Sequence, residues 1–448
     1  MTAASGSVPH CGPGRLVGQR PEMSSLRLAA SAGALQTLAT MALSFLSIKV
    51  TSVYLGPAGI GTLGQLSYFI ALTQAVLVAG LHTGLVRRLA ELGDDHEARE
   101  RVISTALRAL LAVGIPVALA IALAADWIAR ELLYDARLAF ALRILGAVFV
   151  LGLAATVITA AANGAKDFRT VALINIGSAS ASLAMIVALC PRFGVVGGLI
   201  ATSALPLGTW AIAWALARRH AWWPRAALSH GFSRNEIRGL TAFVPLAVIT
   251  AVGLPLLQLL IRDSVVEHSG MASVGLLQGV MRISEMYLGV ASGVFAMYFF
   301  PRFSEIREPG ELVHEMSRGL LVIVPAVALV SVVIYLLRDL VIGVIFSPEF
   351  LPMRDLFGWQ MVGNTLKMVG WVFGYVLLAK ANAFAMASLE LSTLGAWWLL
   401  SEVLIARHGV VGATEAYAAT FAVYSLVTMV AALLLIRRMR AHAGAVAS

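Results

Sequence analysis

The chain has 448 residues, of which 59% are hydrophobic and only 13% charged. Soluble domains average about 45–50% apolar and about 25% charged residues, so these figures exclude a water-soluble globule and a disordered chain alike. The net charge of +9 is carried by Lys and Arg in short gaps between apolar runs, which speaks for membrane topology and against nucleic acid as a partner.

Residues 1–28 are rich in Gly, Pro and Ser, lack the apolar core of a signal peptide, and read as a disordered cytoplasmic tail. Met23, just before the first span, is an expected start of translation. Apolar runs at 29–50, 60–84, 103–125, 138–162, 171–190, 195–217, 240–261, 272–300, 319–337, 356–379, 383–405 and 411–436 then predict about twelve transmembrane helices. Each is long enough for the roughly 20 residues that cross a bilayer. Pro116, Pro206, Pro245, Pro255 and Pro325 fall inside them, which neighbouring helices make tolerable. Residues 441–448 form a short tail. Cys11 and Cys190 are too few and too distant for a disulfide framework or a metal site.

With the N-terminus cytoplasmic, about three times as many Lys and Arg lie on inner segments as on outer ones, Arg262 being counted with the outer set. The bias places both termini in the cytoplasm.

The two halves echo each other at an offset of about 215 residues. Ala58–Leu63 returns as Ala272–Leu277, Ala165-Lys166 as Ala379-Lys380, and Arg192–Gly197 as Arg407–Gly412. Six spans per half is an even number, so the repeat is parallel, with its axis along the membrane normal. The expected fold is an all-α membrane protein of two six-helix lobes, 29–225 and 226–440, around a central cavity. That shape suits alternating access.

Charges within spans are expensive and need a reason. Lys367 shares a helical face with Gln360, Asn364, Trp371 and Gly374, a polar stripe expected to line a cavity. Gln278, Arg282, Glu285, Gly289 and Ser292 repeat that pattern in the eighth span, where Arg282 and Glu285 can also pair with each other. Their counterparts in the first half are Tyr68 and Ala71, so the duplicated scaffold does not itself demand these charges. Glu390 begins a face continued by Thr393, Trp397 and Ser401, and suits either a cation's partner or a proton carrier. Lys49 and Arg143 lie near span ends, where long cations snorkel. Arg282 and Lys367 together are expected to hold an anion in a cavity lined mainly by the second half.

Several segments carry a family likeness. They are Val53–Gly61, Arg354–Gly363, Leu366-Lys367, Val372–Tyr375 and Ala379-Lys-Ala381. Through them the chain resembles, from about Met23 to Arg440, the polysaccharide flippases of the multidrug/oligosaccharidyl-lipid/polysaccharide (MOP) exporter superfamily, most of all those serving enterobacterial common antigen and O-antigen assembly. The resemblance implies movement of an undecaprenyl-diphosphate-linked oligosaccharide, lipid III or an O-antigen repeat unit, from the cytoplasmic to the periplasmic leaflet of the inner membrane. It implies membrane lipids and a complex with a glycan polymerase or chain-length regulator as partners. Lys49, Lys367 and Glu390 match positions of the family pattern, and Glu285 stands where a carboxylate is also found. Arg282 departs from it. The expected substrate contacts are Lys367, Arg282, Lys49, Asn364 and Gln278, with Glu285 and Glu390 as proton carriers or charge partners.

No Gly-rich Lys-Ser/Thr loop is present, so no nucleotide or other cofactor is expected. The membrane potential suffices in principle, at about 2.3 kcal/mol per charge per 100 mV. An exporter of drugs or small solutes on the same two-lobed fold is the alternative. A glycan-processing enzyme is not expected, because the longest external gap, 338–355, lacks a His or carboxylate constellation.

Overall fold

The computed structural model describes residues 23–78, 81–93, 95–220, 222–223, 233, 236–237, 244–380 and 383–447. Among them every regular element is helical. The first half holds α1 (Met23–Val78), α2 (Leu81–Glu91), α3 (His96–Leu123), α4 (Ala125–Leu132), α5 (Ala139–Gly164) and α6 (Phe168–Ala217). The second half opens with α7 (Val244–Val294), which continues through a π-helical turn, Phe295–Phe299, into α8 (Phe300–Glu305). It goes on with α9 (Pro309–Leu336), α10 (Arg338–Ile345), α11 (Phe357–Lys380), α12 (Ala383–His408) and α13 (Val410–Ala447).

Among the described residues, 9 helices are long and apolar enough to cross a membrane. Three of these, Leu35–Val78, Phe168–Ala217 and Ala251–Glu305, run 44, 50 and 55 residues. That is more than twice the roughly 20 residues of one crossing. Each is folded into two crossings by a single glycine: Gly56 (φ 64), Gly194 (φ 54) and Gly270 (φ 78). Any Cβ is strained in this left-handed backbone, which glycine adopts freely. Gly409 (φ 60) makes the same turn between α12 and α13. The result is the expected set of twelve crossings, six per half.

The four turns carry the internal repeat into the backbone. Gly56 and Gly270 occupy equivalent places in the two halves, as do Gly194 and Gly409. The equivalence extends to elements not anticipated from sequence. Short helices α4 and α10 follow the third and ninth crossings, and each offers an acidic residue to an arginine on the way into the next crossing. Asp126 pairs with Arg143 at 2.6 Å, and Asp339 with Arg354 at 3.7 Å. Arg143 is therefore held by a carboxylate at the membrane edge.

Each half keeps its own apolar core. Leu66, Leu85, Ile103, Leu142 and Phe149 anchor the first. The second has two clusters, one around Val265, Val280, Phe350 and Phe357 and another around Phe295, Phe303, Leu312 and Val372. The halves meet where α1 crosses α7. A side chain at Gly61 would strike the Met271 carbonyl, and one at Gly275 would strike the Pro57 carbonyl. These two contacts are related by the repeat, and small residues permit the backbones to touch as they do between membrane helices generally.

One expectation is corrected. The seventh crossing does not end at residue 261 but runs helically to Gly270, so Arg262 lies inside a crossing rather than on an outer connection. Charged residues from Arg262 to His268 read as a loop, yet the helix extends through them because the turn needs one residue only. Helix α1 begins at Met23 and α13 reaches Ala447. The remainder of the N-terminal tail and the lobe boundary near 225 lie outside the described residues.

Candidate substrate cavity

A cavity of about 450 Å³ opens between the halves. Its wall comes mostly from the first half, through α1 and α6, with Thr40, Ser47, Thr51, Ser67 and Thr202 among the lining residues. This corrects the expectation of a cavity lined mainly by the second half. The serines and threonines return their hydrogens to carbonyls of their own helices: Thr51 to Ser47 at 2.8 Å, Ser67 to Leu63 at 2.7 Å, Thr202 to Gly198 at 2.9 Å. Their lone pairs remain available, so the wall is polar without leaving an unsatisfied donor.

The formal charges in the wall come from the second half. Gln278, Arg282 and Glu285 project from one face of α7. Arg282 donates to Glu285 at 3.5 Å, and both side chains are about half exposed, at 50% and 51%. A pair this open and this long leaves most of the guanidinium's donors free for an anion.

Lys367 is not in this wall. Its Nζ lies 5.2 Å from the ring centre of Trp371, 5.9 Å from Tyr417 and 5.0 Å from Phe421. Among the described residues it has no ion pair. The rings of α11 and α13 hold the ammonium through their π faces.

Asn364 lies deeper still, fully buried. Its amide donates to Ser284 at 2.9 Å and to Tyr287 at 2.7 Å, while its carbonyl accepts from Tyr417 at 2.9 Å and from Gln360 at 3.3 Å. All of its capacity is taken, by α7, α13 and its own helix, which leaves none for the cavity.

Lys49 leaves the cavity side of α1 and crosses to the other half. Its Nζ donates to the carbonyls of Gly343 at 3.1 Å and Phe346 at 2.8 Å, at the C-terminal end of α10. A cation there satisfies carbonyls with no helical partner and opposes the negative end of the helix dipole. Glu390 is exposed on α12 and has no ion pair among the described residues. The structure thus brings Gln278, Arg282 and Glu285 together in the cavity wall, holds Lys367 outside the wall but within the field of Glu285, and places Asn364, Lys49 and Glu390 elsewhere.

Sequence reasoning missed Arg262. It is fully buried beside the cavity, its Nη2 donating to Gln278 Oε1 and its guanidinium stacked 4.4 Å from the ring centre of Tyr68. The available signal was Tyr68, an aromatic residue at the place where the repeat puts Arg282.

Outside the membrane, Asp167 joins α5 to α6. Its carboxylate accepts from Thr170 N at 3.1 Å, Thr170 Oγ1 at 2.7 Å and Trp222 Nε1 at 3.0 Å. Burial pushes this carboxyl up, but the hydrogen bonds and neighbouring His220 outweigh it and hold it below the usual carboxylate range.

Residues 54–355 match the family model described as "Polysaccharide biosynthesis protein". The chain is 30% identical over 393 residues to the Lipid III flippase of Escherichia coli (strain K12), covering 87% of this chain and 94% of that one. The Lipid III flippase of Shigella flexneri gives the same figures. Among solved structures, a multidrug resistance MATE family transporter of the MOP superfamily in its inward-facing conformation superposes with a TM-score of 0.75 at 15% identity, over 90% of this chain and 99% of that one. A MOP superfamily transporter from Pyrococcus furiosus, described as having a binding pocket of reverse polarity, superposes with a TM-score of 0.61 at 13% identity, over 92% and 96%. The chain belongs to the polysaccharide biosynthesis protein family, as a multi-pass membrane protein on the fold of the MOP-superfamily transporters.

Proposed function

We propose that this protein is a flippase of the bacterial inner membrane that moves an undecaprenyl-diphosphate-linked oligosaccharide, lipid III or an O-antigen repeat unit, to the periplasmic leaflet by alternating access. The observation that carries the reading is Arg282, half exposed in a hydroxyl-lined cavity between two repeat-related halves. A diphosphate needs a forked cation, and the hydroxyls suit a sugar that leaves water. Both termini face the cytoplasm in this reading, and the four glycine turns face the periplasm. An inside-negative potential then favours outward movement of the anion by about 2.3 kcal/mol per charge per 100 mV.

Glu285 is as exposed as Arg282, and a cationic solute would use it instead. Translocation of a fluorescent short-chain prenyl-diphosphate sugar in proteoliposomes separates the two readings. Arg282→Gln is expected to lose transport at unchanged protein level, with Arg282→Lys retaining part of it. No translocation of the sugar lipid by the wild-type protein, with dye export that Glu285→Gln abolishes, would establish the solute exporter.

A further inference from the structure

Arg262 is held in a costly state. It is fully buried, and no carboxylate pairs with it among the described residues. Nη2 is bonded to Gln278, but Nε and Nη1 find no acceptor. Buried charges are normally paired and buried donors normally satisfied. The scaffold does not explain the arginine, because its repeat counterpart on the first crossing is Ile48.

We infer that Arg262 is a second anion-binding cation of the cavity, covered in this conformation by Tyr68 and Gln278. This rests on the reading of the protein as carrier of a diphosphate-linked lipid. Three observations place it on the substrate's path. First, Gly64 and Gln278 both belong to the cavity wall, and they are what separates Arg262 from the cavity. A Cβ at Gly64 would lie 3.0 Å from Arg262 Nη1 and 3.1 Å from Gln278 Oε1, so only the missing side chain lets the buried guanidinium lie this close behind the cavity wall. Second, Gln278 stands one helical turn from Arg282 in the direction of Gly270, which sets Arg262 about 5–6 Å nearer the glycine-turn end. An anion leaving Arg282 toward that end meets Arg262 next. Third, Tyr68 belongs to the first half and Arg262 to the second. Parting the halves removes the ring and exposes Nε and Nη1, and once Gln278 yields Nη2 either of them forms with it the fork that a phosphate accepts. Arg282 and Glu285 are the other charges whose field reaches this group. The anion then bridges two arginines while the cavity changes the side to which it opens.

The test is equilibrium binding of farnesyl diphosphate and farnesyl monophosphate to the full-length protein in nanodiscs. Two cations should favour the diphosphate by about tenfold or more. Arg262→Gln is expected to erase that preference while leaving monophosphate binding in place, and Arg262→Lys to keep part of it. Gly64→Ala retains the charge but narrows its approach, and should weaken diphosphate binding at an unchanged melting temperature. It decides the matter if Arg262→Gln does not accumulate. Wild-type preference in Gly64→Ala and in any folded Arg262 variant, with binding lost in Arg282→Gln, would overturn this inference and leave the anion cavity standing. If neither arginine affects either probe, the anion cavity itself fails.

Discussion

At the residue scale, three cations that look alike in sequence have different surroundings, and the difference is chemical. Arg282 is paired loosely and open to the cavity, Lys49 is spent on backbone carbonyls, and Lys367 rests among three rings. The stripe of Gln278, Arg282 and Glu285 was legible because helical periodicity alone aligns it. The surroundings of Lys49 were not, since carbonyls carry no residue identity, nor were those of Lys367, whose Tyr417 and Phe421 come from another helix. Among the described residues Lys367 has no ion pair, only the more distant field of Glu285, so its neutralisation should not unfold the protein. Lys367→Gln is expected to keep the melting temperature within about 2 °C and to reduce transport about tenfold or more. Lys367→Arg should retain much of the activity, because a guanidinium also stacks on aromatic faces. Proteoliposome transport with parallel melting curves checks both. Wild-type rates in Lys367→Gln would confine the lysine to packing. Lys49→Met removes two charge-assisted hydrogen bonds worth about 1.5–3 kcal/mol each at most, and should lower the melting temperature visibly.

At the element scale, the helical hairpins are set by their turns. The sequence pattern located the apolar runs but misplaced the end of the seventh, because a polar stretch within a helix and a polar loop look the same until the turning residue is known. Gly194 and Gly270 have nothing within 4 Å of a built Cβ, so substitution there tests the backbone alone. Gly194 lies at φ 54, ψ −131, outside the left-handed helical well that Asn tolerates, so Gly194→Val and Gly194→Asn should each cost about 1–3 kcal/mol. Wild-type melting temperatures in both variants would show that the turn relaxes. The start of α6 depends on Asp167, an N-cap whose replacement by Ala should cost about 1 kcal/mol at neutral pH. Because the folded carboxyl sits below its unfolded value, this contribution is present above the unfolded value of about 3.9 and is lost as pH falls through the folded one. The melting-temperature gap between wild type and Asp167→Ala should therefore close below about pH 4. A gap that persists in acid would assign the loss to packing against Trp222.

At the scale of the whole molecule, the parallel repeat was readable from short echoes because two of the three fall at or beside the glycine turns, the places least free to change. The interface between the halves was not readable, since it depends on contacts without a sequence signature: Gly275 against the Pro57 carbonyl, Lys49 on the Phe346 carbonyl, and Ser347 donating to the Ser52 carbonyl at 3.0 Å. Tyr134 adds a hydrogen bond to Asp263. These contacts gather at the glycine-turn end, so the halves are joined there in this conformation. If transport proceeds by alternating access, that end must open in every cycle, and a covalent tie across it must stop the cycle. Ser52→Cys with Ser347→Cys, made with Cys11→Ser and Cys190→Ser, places two thiols where the halves already touch. Oxidation is expected to abolish transport, reduction to restore it, and each single cysteine variant to be insensitive to both. Substrate binding from the opposite side should survive the cross-link, which separates a locked carrier from a denatured one. Undiminished transport by the fully cross-linked protein would mean that the halves do not part at this end, and that the lipid passes along the outside of the bundle instead.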